Sequence, residues 1–405
     1  MYITWKATEA GETRKGTINM QELLGFWRPD GRVGIRNHLL IISSVVCANR
    51  ATELIAAAVP GAVGVTHQHG CALIGADKDM VYRTLEGTAT NPNVGAVLVV
   101  GLGCEGIPAE DLAQGIAKSG KMVDYVSIQK AGGTMGAVHA GVKIATQMAE
   151  ELGKMRREPF GWEHLIFGTE CGGSDTTSGI AANPVTGGVS DRIVKLGGTV
   201  ILSETPEIIG AEHLVARRAI NPELGEKILD LIKRVENRYL SLGVDFRGGN
   251  PSPGNIAGGL TTLEEKSLGA IHKAGTSPIQ EILEYAQCPT KKGLVIMDTP
   301  GHDVESLTGM MAGGSQVAVF TTGQGTPTGH PIAPIIKITG NPKTWNSMGG
   351  DFDIDASTII LGQERMADVE ERLFQYLVEV INGRLVKAEI MGHREFGISR
   401  ISMSL

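Results

Sequence analysis

The chain of 405 residues has no uninterrupted apolar run of about 18 residues, the length a helix needs to cross a bilayer, so no membrane span is expected. Its opening stretch, MYITWKATEAGETRKG, lacks the apolar core of a secretory signal, which makes the cytoplasm the expected compartment. Basic charge is not in excess. Lys+Arg number 37 against 44 Asp+Glu, a net charge of -7, and a nucleic-acid partner is not expected. Cysteines are few and odd in number: Cys47, Cys71, Cys104, Cys171 and Cys288. A disulfide framework is therefore not expected. Aromatic residues are scarce, at 4%, but hydrophobic residues reach 42%, enough to build real cores and to argue against disorder.

Glycine is what the chain has in plenty, 55 residues, about twice the usual share of roughly 7%. It follows no three-residue period, so a collagen-like helix is excluded. It gathers after apolar runs, in GLGCEG, ECGGSD, GGNPSPGN and TTGQGTPTG. Glycine at such places allows positive φ and close approach of backbone to a ligand.

Apolar runs predict strands at 39–46, 62–66, 95–101, 122–128, 164–168, 198–203, 293–298, 316–322 and 334–339. Helical patterns fall at 51–59, 77–90, 109–119, 138–157, 184–196, 223–241, 277–287 and 365–382. The alternation predicts an α/β fold with mainly parallel sheets and Gly-rich loops at the strand ends. The charged stretch GKMRREPFGWE, 153–163, suggests a boundary. The expected units are an N-terminal arm over 1–20, an α/β domain over 21–155 and a second α/β domain over 156–405.

Ligands of open α/β sheets bind beyond the carboxyl ends of strands. Four of the five cysteines fall there, in Cys47-Ala48-Asn49, His67-Gln68-His69-Gly70-Cys71, Gly103-Cys104-Glu105 and Glu170-Cys171-Gly172-Gly173-Ser174-Asp175. Converging loops of this kind suit a metal: iron, zinc or manganese, or an iron–sulfur cluster on three thiolates. The competing reading is that each cysteine is a small buried hydrophobe. No CxxC pair argues for a structural zinc. The segment 250–269 offers Asn250, Ser252 and Asn255 as turn formers, then Thr261 or Thr262 as the cap of a short helix carrying Glu264, Glu265 and Lys266. The loop 321–329 has backbone N–H groups for an anion. It lacks the GK[ST] of a Walker loop, and no dinucleotide fingerprint is present, so a carboxylate fits it better than a nucleotide. Arg28, Arg32 and Arg36 precede the first strand as candidate carboxylate forks.

Taken together, RPDGRVGIRN, HQHGC, NPNVGAVLVVGLGCE, ECGGSDTTSGIAANP, GGTVILSETPE, NPSPGNIAGGLTTLEEKSLG and AGGSQVAVFTTGQGTPTG resemble the altronate/galactarate dehydratase family. The chain is also similar to the large subunit of (2R)-sulfolactate sulfo-lyase. The resemblance implies a metal-dependent lyase that removes water from an altronate-type sugar acid to give a 2-keto-3-deoxy acid. The alternatives are carbon–sulfur cleavage of sulfolactate to pyruvate and sulfite, and a non-catalytic sugar-acid-binding subunit. The proton next to a carboxylate is weakly acidic, so such chemistry needs a Lewis acid for the ene-diolate, a base for the proton and an acid for the leaving group.

By the same resemblance, metal ligands come from His67, His69, Cys71, Cys104 and Cys171, with Cys47 or Glu105 as substitutes. The cofactor is Fe2+ or an oxygen-labile iron–sulfur cluster, with Mn2+ as an alternative. Lys266 is the base and Glu170 or Glu105 the acid. Arg36, Asn37, Ser174, Asp175, Asn255 and Thr322 bind the carboxylate substrate. Two features depart from the pattern. Family members carry a small SAF-type domain ahead of the RPDGR motif, so a separate small subunit is an expected partner, within a homo- or hetero-oligomer. Gln324 stands where sugar-acid dehydratases commonly read Gly-Arg-Gly-Thr, which puts the usual substrate in doubt.

Overall fold

Each continuous apolar run becomes a strand because alternate residues find a helical layer on either face of a sheet. The computed structural model describes residues 22–401 apart from 242 and 244–248; the arm expected over 1–20 lies outside the described residues. In chain order the strands are β1 (Leu23–Trp27), β2 (Val33–Gly34), β3 (His38–Ser43), β4 (Ala62–Val65), β5 (Val94–Gly101), β6 (Met122–Ser127) and β7 (Glu158–Phe160). They continue with β8 (Ile166–Gly172), β9 (Thr199–Leu202), β10 (Ile279–Leu283), β11 (Gly293–Met297), β12 (Val317–Thr322), β13 (Ile335–Thr339) and β14 (Ile354–Asp355).

The order β4-β3-β5-β6 makes a four-stranded parallel sheet. Leu39 and Ile41 of β3 pack on one side with Ala51 and Ile55 of the helix Asn49–Ala58, while Leu40 and Ile42 pack on the other with Val81 and Leu85 of the helix Gly75–Thr90. A seven-stranded sheet follows, β10-β11-β9-β8-β12-β13-β14, parallel throughout. It divides its residues in the same way. Val200, Leu202 and Val319 face the helix Asn183–Lys195; Ile201, Val295 and Phe320 face Leu307 and Met311 of the helix Asp303–Ala312. From β8 the chain first builds outward through β9, then returns through β11 and crosses to β12 on the other flank of β8. The carboxyl ends of β8 and its neighbours are thus the place where ligands of such sheets bind. Among the described residues no helix is long and apolar enough to cross a membrane.

The stretch 277–287 differs from its expected helix. Ile279–Leu283 is an edge strand, parallel to β11, with Ile279 and Leu283 buried. Pairing with a neighbouring strand overrides the local helical pattern.

The arginines of the RPDGRVGIRN motif do not wait for a substrate. Arg36 is buried, pairs with both oxygens of Glu389 at 2.7 and 2.8 Å, and donates to the carbonyls of Val380 and Arg384. Arg28 donates to Pro92 O, Arg36 O and Asn37 Oδ1, and Asn37 in turn donates to Leu152 O. Arg36 and Asn37 therefore fasten the two sheets' helices together, because every polar atom they offer is already bonded to the chain.

A second buried cation supports a loop. Lys337, fully buried in β13, donates to the carbonyls of Pro327 and Thr328. Burial pushes its amine down to about 8, with Asp353 pulling the other way. An unfolded lysine keeps its proton up to about 10.4, so between those values the unfolded chain binds more protons and stability rises with pH. The wild type is expected to gain stability over Lys337→Met by on the order of 3 kcal/mol at most between pH 8 and 10.5. Urea melts at three pH values in that range, showing parallel trends for both chains, would refute this.

Candidate active site

β8 ends in Glu170, Cys171 and Gly172; β9 runs on into Ser203 and Glu204; β11 leads to Thr299 and Asp303. These strands lie side by side and parallel, so their carboxyl ends meet. One oxygen from each of Glu170, Glu204 and Asp303 lies within 4.8 Å of the other two. Glu170 Oε2 accepts from Ser306 at 2.6 Å and Ser203 at 3.1 Å. Glu204 Oε2 accepts from the Cys171 N–H at 2.9 Å, and its own N–H donates to Thr299 Oγ1 at 2.7 Å. Glu204 has φ 62, a left-handed conformation that is uncommon for a residue with a side chain and recurs at functional sites. Each of the two glutamates uses one oxygen only. Glu170 Oε1 and Glu204 Oε1 are buried without a hydrogen-bond partner among the described residues, as is Glu207 Oε2 nearby.

Two lysines face these acids. Lys273, 1% exposed, places Nζ 2.9 Å from Glu204 Oε2 and 3.1 Å from Cys171 Sγ. Thr262 caps the helix Leu263–Ile271, whose first turn carries Lys266. Lys266 Nζ donates to Glu207 Oε1 at 2.9 Å and Asn250 Oδ1 at 2.8 Å, and the residue lines a cavity of about 240 Å³ with Ser174 and Asp175. Four acids outnumber two ammonium groups, and the protonation equilibria show it. Burial, then the charges of Glu204 and Asp303, hold the Glu170 carboxyl well above the usual range. Burial and Glu204 push Asp303 up to about 7. Burial raises Glu207 against the pull of Lys266, and raises the Cys171 thiol. Burial alone would lower the Lys273 amine, but Cys171 and Glu204 beside it raise it instead.

Gly172 leaves room for this arrangement: a Cβ there would lie 2.6 Å from Asp303 Oδ2. Gly172→Ala is expected to displace the Asp303 carboxylate and cut turnover at least tenfold, with stability lowered by about 1–3 kcal/mol. Unchanged turnover would mean that the position of Asp303 is immaterial.

Of the residues expected from sequence, the structure brings Glu170 and Cys171 to the acid trio and sets Lys266 on a cavity with Ser174 and Asp175, while His67, His69, Cys71, Cys104 and Glu105 belong to loops of the four-stranded sheet. His67 and His69 belong to the loop after β4. His67 Nε2 lies 2.8 Å from Ser43 O, and its Nδ1 accepts from the His69 N–H, so backbone occupies both ring nitrogens. Burial pushes its imidazole down to about 4. His69 Nε2 lies 3.3 Å from Ile398 O. Cys47, Cys71 and Cys104 are exposed, whereas Cys171 is buried in the other sheet against Lys273. Among the described residues, Glu170, Glu204 and Asp303 form the one group of three acids, histidines or cysteines close enough to share an ion. The ligand set drawn from His67, His69, Cys71, Cys104 and Cys171 is thus not assembled. Glu105 caps a turn, accepting from Gly103 N, Ala109 N and Ser44 Oγ, bonds that lower its carboxyl although burial alone would raise it. Ser174, Asp175 and Thr322 do sit at the strand ends, and Asn255 reaches them from the short helix Pro253–Ala257, so that together they tie loops to one another. Asp175 accepts from Thr177, Ser178 and Asn341; Asn255 donates to Ser174 O; Thr322 Oγ1 accepts from Gly325 N.

Glu204, Glu207, Lys273 and Asp303 were not singled out from sequence. The rule that did find Glu170 also reaches SETPE after β9 and MDTPGHD after β11, both being the polar residues next after an apolar run. Lys273 left no such signal, since it lies past the end of a helix.

Two family models cover the chain in sequence. Residues 25–153 match the second domain of D-galactarate dehydratase/altronate hydrolase, and residues 162–404 match the C-terminal domain of D-galactarate/altronate dehydratase. The chain belongs to this dehydratase family. It is 37% identical to the (2R)-sulfolactate sulfo-lyase subunit beta of Chromohalobacter salexigens over 93% of this chain and 97% of that one. It is 34% identical to the altronate dehydratase of Bacillus subtilis over 94% of this chain and 78% of that one. With the L-threo-forming galactarate dehydratase of Escherichia coli it shares 40% identity over 75% of this chain and 59% of that one. As a member of the galactarate/altronate dehydratase family the chain is a lyase, which sets aside the expectation of a non-catalytic binding subunit.

Proposed function

We propose that the chain eliminates water from a 2,3-dihydroxy sugar acid to give a 2-keto-3-deoxy acid, using a divalent cation held by Glu170, Glu204 and Asp303. The observation that carries the reading is the buried acid trio, with an orphaned oxygen on each of Glu170 and Glu204. Buried unpaired carboxylate oxygens are costly, and a cation is what offsets that cost. An all-oxygen donor set suits Fe2+, Mn2+ or Mg2+ and not a thiolate-held cluster. Such a cation supplies Lewis-acid charge against the substrate carboxylate. Lys266 Nζ, once its own proton has passed to Glu207, takes the proton from the carbon beside that carboxylate, and the hydroxyl on the next carbon leaves with that proton as water, while Glu207 and Asn250 fix the direction of the amine. Lys273 keeps Glu204 in place from below.

A second reading, carbon–sulfur cleavage of sulfolactate, is favoured by the 97% coverage of the sulfo-lyase subunit. That relative is named as one subunit, so a small partner chain forms part of this reading, and co-purification with a coexpressed small subunit tests it.

The deciding experiment is anaerobic reconstitution with Fe2+ or Mn2+, metal analysis, and product assay with galactarate, altronate and (2R)-sulfolactate. The wild type is expected to hold one metal per chain without acid-labile sulfide and to form a 2-keto-3-deoxy acid. Glu204→Gln and Asp303→Asn lose the metal; His67→Ala and Cys104→Ser keep it. Sulfite release without keto-acid formation from the sugar acids would install the second reading. Metal lost from the His67 or Cys104 variants alone would move the site to the other sheet.

A further inference from the structure

Two consecutive glycines face in two directions at the end of β8 and just beyond it. A Cβ at Gly172 would lie 2.6 Å from Asp303 Oδ2, and one at Gly173 would lie 3.5 Å from Gln324 Cβ. Consecutive Cα atoms are about 3.8 Å apart. Asp303 and Gln324 therefore approach adjacent residues of the chain, each from its own side. The Gln324 backbone is pinned there, since the N–H groups of Gly323 and Gln324 both donate to Gly173 O. Its side-chain amide is pinned as well: Nε2 donates to Gly254 O, in the loop that also carries Asn250, the partner of Lys266. With that N–H engaged, Oε1 and the second N–H of the amide are left for a ligand.

Gln324 looks onto a second cavity, of about 470 Å³, bounded also by Thr177, Gly258, Asn341 and Lys343. Asp175 lines both this cavity and the one at Lys266, so the two meet at that residue. Asp175 is buried and spent on Thr177, Ser178 and Asn341, so it shapes the junction without taking part in recognition. Asn341 is spent too, donating to Asp175 and accepting from the N–H groups of Lys343 and Thr344. The groups left for a ligand are the neutral Gln324 amide, which donates and accepts, and the Lys343 ammonium, which no carboxylate pairs among the described residues.

We propose that Gln324 and Lys343 form a distal subsite that reads the end of the substrate lying away from the reacting carbon. The Gln324 amide is matched to hydroxyl groups, which also donate and accept. The Lys343 ammonium is matched to an anionic end group. The assignment rests on the elimination reading given above, and it predicts which acids the crevice separates. On this assignment a six-carbon acid held at Lys266 extends past Asp175 to Gln324 and Lys343, whereas a three-carbon acid ends short of them.

The test measures binding apart from turnover. Calorimetric titration with Mg2+ present uses galactarate, altronate and (2R)-sulfolactate on the wild type, Gln324→Ala and Lys343→Met. Gln324→Ala is expected to weaken both six-carbon acids at least tenfold and sulfolactate less than twofold. Lys343→Met is expected to weaken galactarate, which is charged at both ends, at least fivefold more than altronate. Equal losses for all three acids, no loss for any, or a wild type that binds neither six-carbon acid would each overturn the subsite. If the acids bind with the expected selectivity but none is turned over, the subsite stands and the elimination reading falls. Circular dichroism melts of both variants exclude unfolding as the cause, and both residues are exposed, so neither variant loses core packing.

Discussion

Lys273→Met is expected to abolish turnover and to lower stability by about 3–5 kcal/mol, the range for breaking a buried ion pair from one side. The amine is 1% exposed and touches Glu204 Oε2 at 2.9 Å and Cys171 Sγ at 3.1 Å. Without it, Glu204 keeps a buried charge whose remaining bonds come from the Cys171 N–H alone. The carboxylate is then left without its ammonium partner, and Glu170, already pushed far above its usual range by burial and by Glu204, gains no relief. Methionine fills most of the volume of lysine, so packing is largely kept and the effect reports charge. Chemical denaturation with a parallel turnover assay measures both halves. A variant as stable as the wild type would mean that the acids are not held ionised by Lys273.

Lys266→Met has a different expected signature. Turnover falls by about 10³, the scale of lost proton transfer, while the metal content of the reconstituted chain is unchanged. The amine touches Glu207 and Asn250 and does not contact the acid trio, so the trio keeps its geometry. Exchange of the substrate's C2 proton with deuterated solvent is lost in the same variant, which ties the defect to proton movement. Wild-type exchange with slow turnover would move the base elsewhere and leave Lys266 as a partner for Glu207.

The fold was legible in the sequence to the extent that strands carry their own burial pattern. β3, β5 and β12 are built on continuous apolar runs because both faces are covered, and glycine follows or ends β5, β8 and β12. Ile279–Leu283 was not legible, since only its partner β11 makes it a strand. The site was half legible. Glu170 and Lys266 stand in long motifs at a strand end and a helix cap. The cysteines and histidines fall elsewhere than the acid trio apart from Cys171, because a side chain after a strand announces chemistry whichever sheet it follows, and sequence does not say which strand ends face one another. Which of the four loops meet depends on the order β11-β9-β8, a property of chain crossing and not of any single segment.

Glu170 ends β8, Glu204 follows β9 and Asp303 opens the helix after β11, so the three meet only when β8, β9 and β11 lie side by side. The closing step presses like charges into a space with little water, so the site opposes the last stage of its own assembly. A cation that removes this repulsion also draws the chain toward the closed sheet by mass action. On the proposed reading, metal supply during synthesis is expected to raise yield as well as activity, and refolding in chelated medium is expected to be slower than refolding with metal.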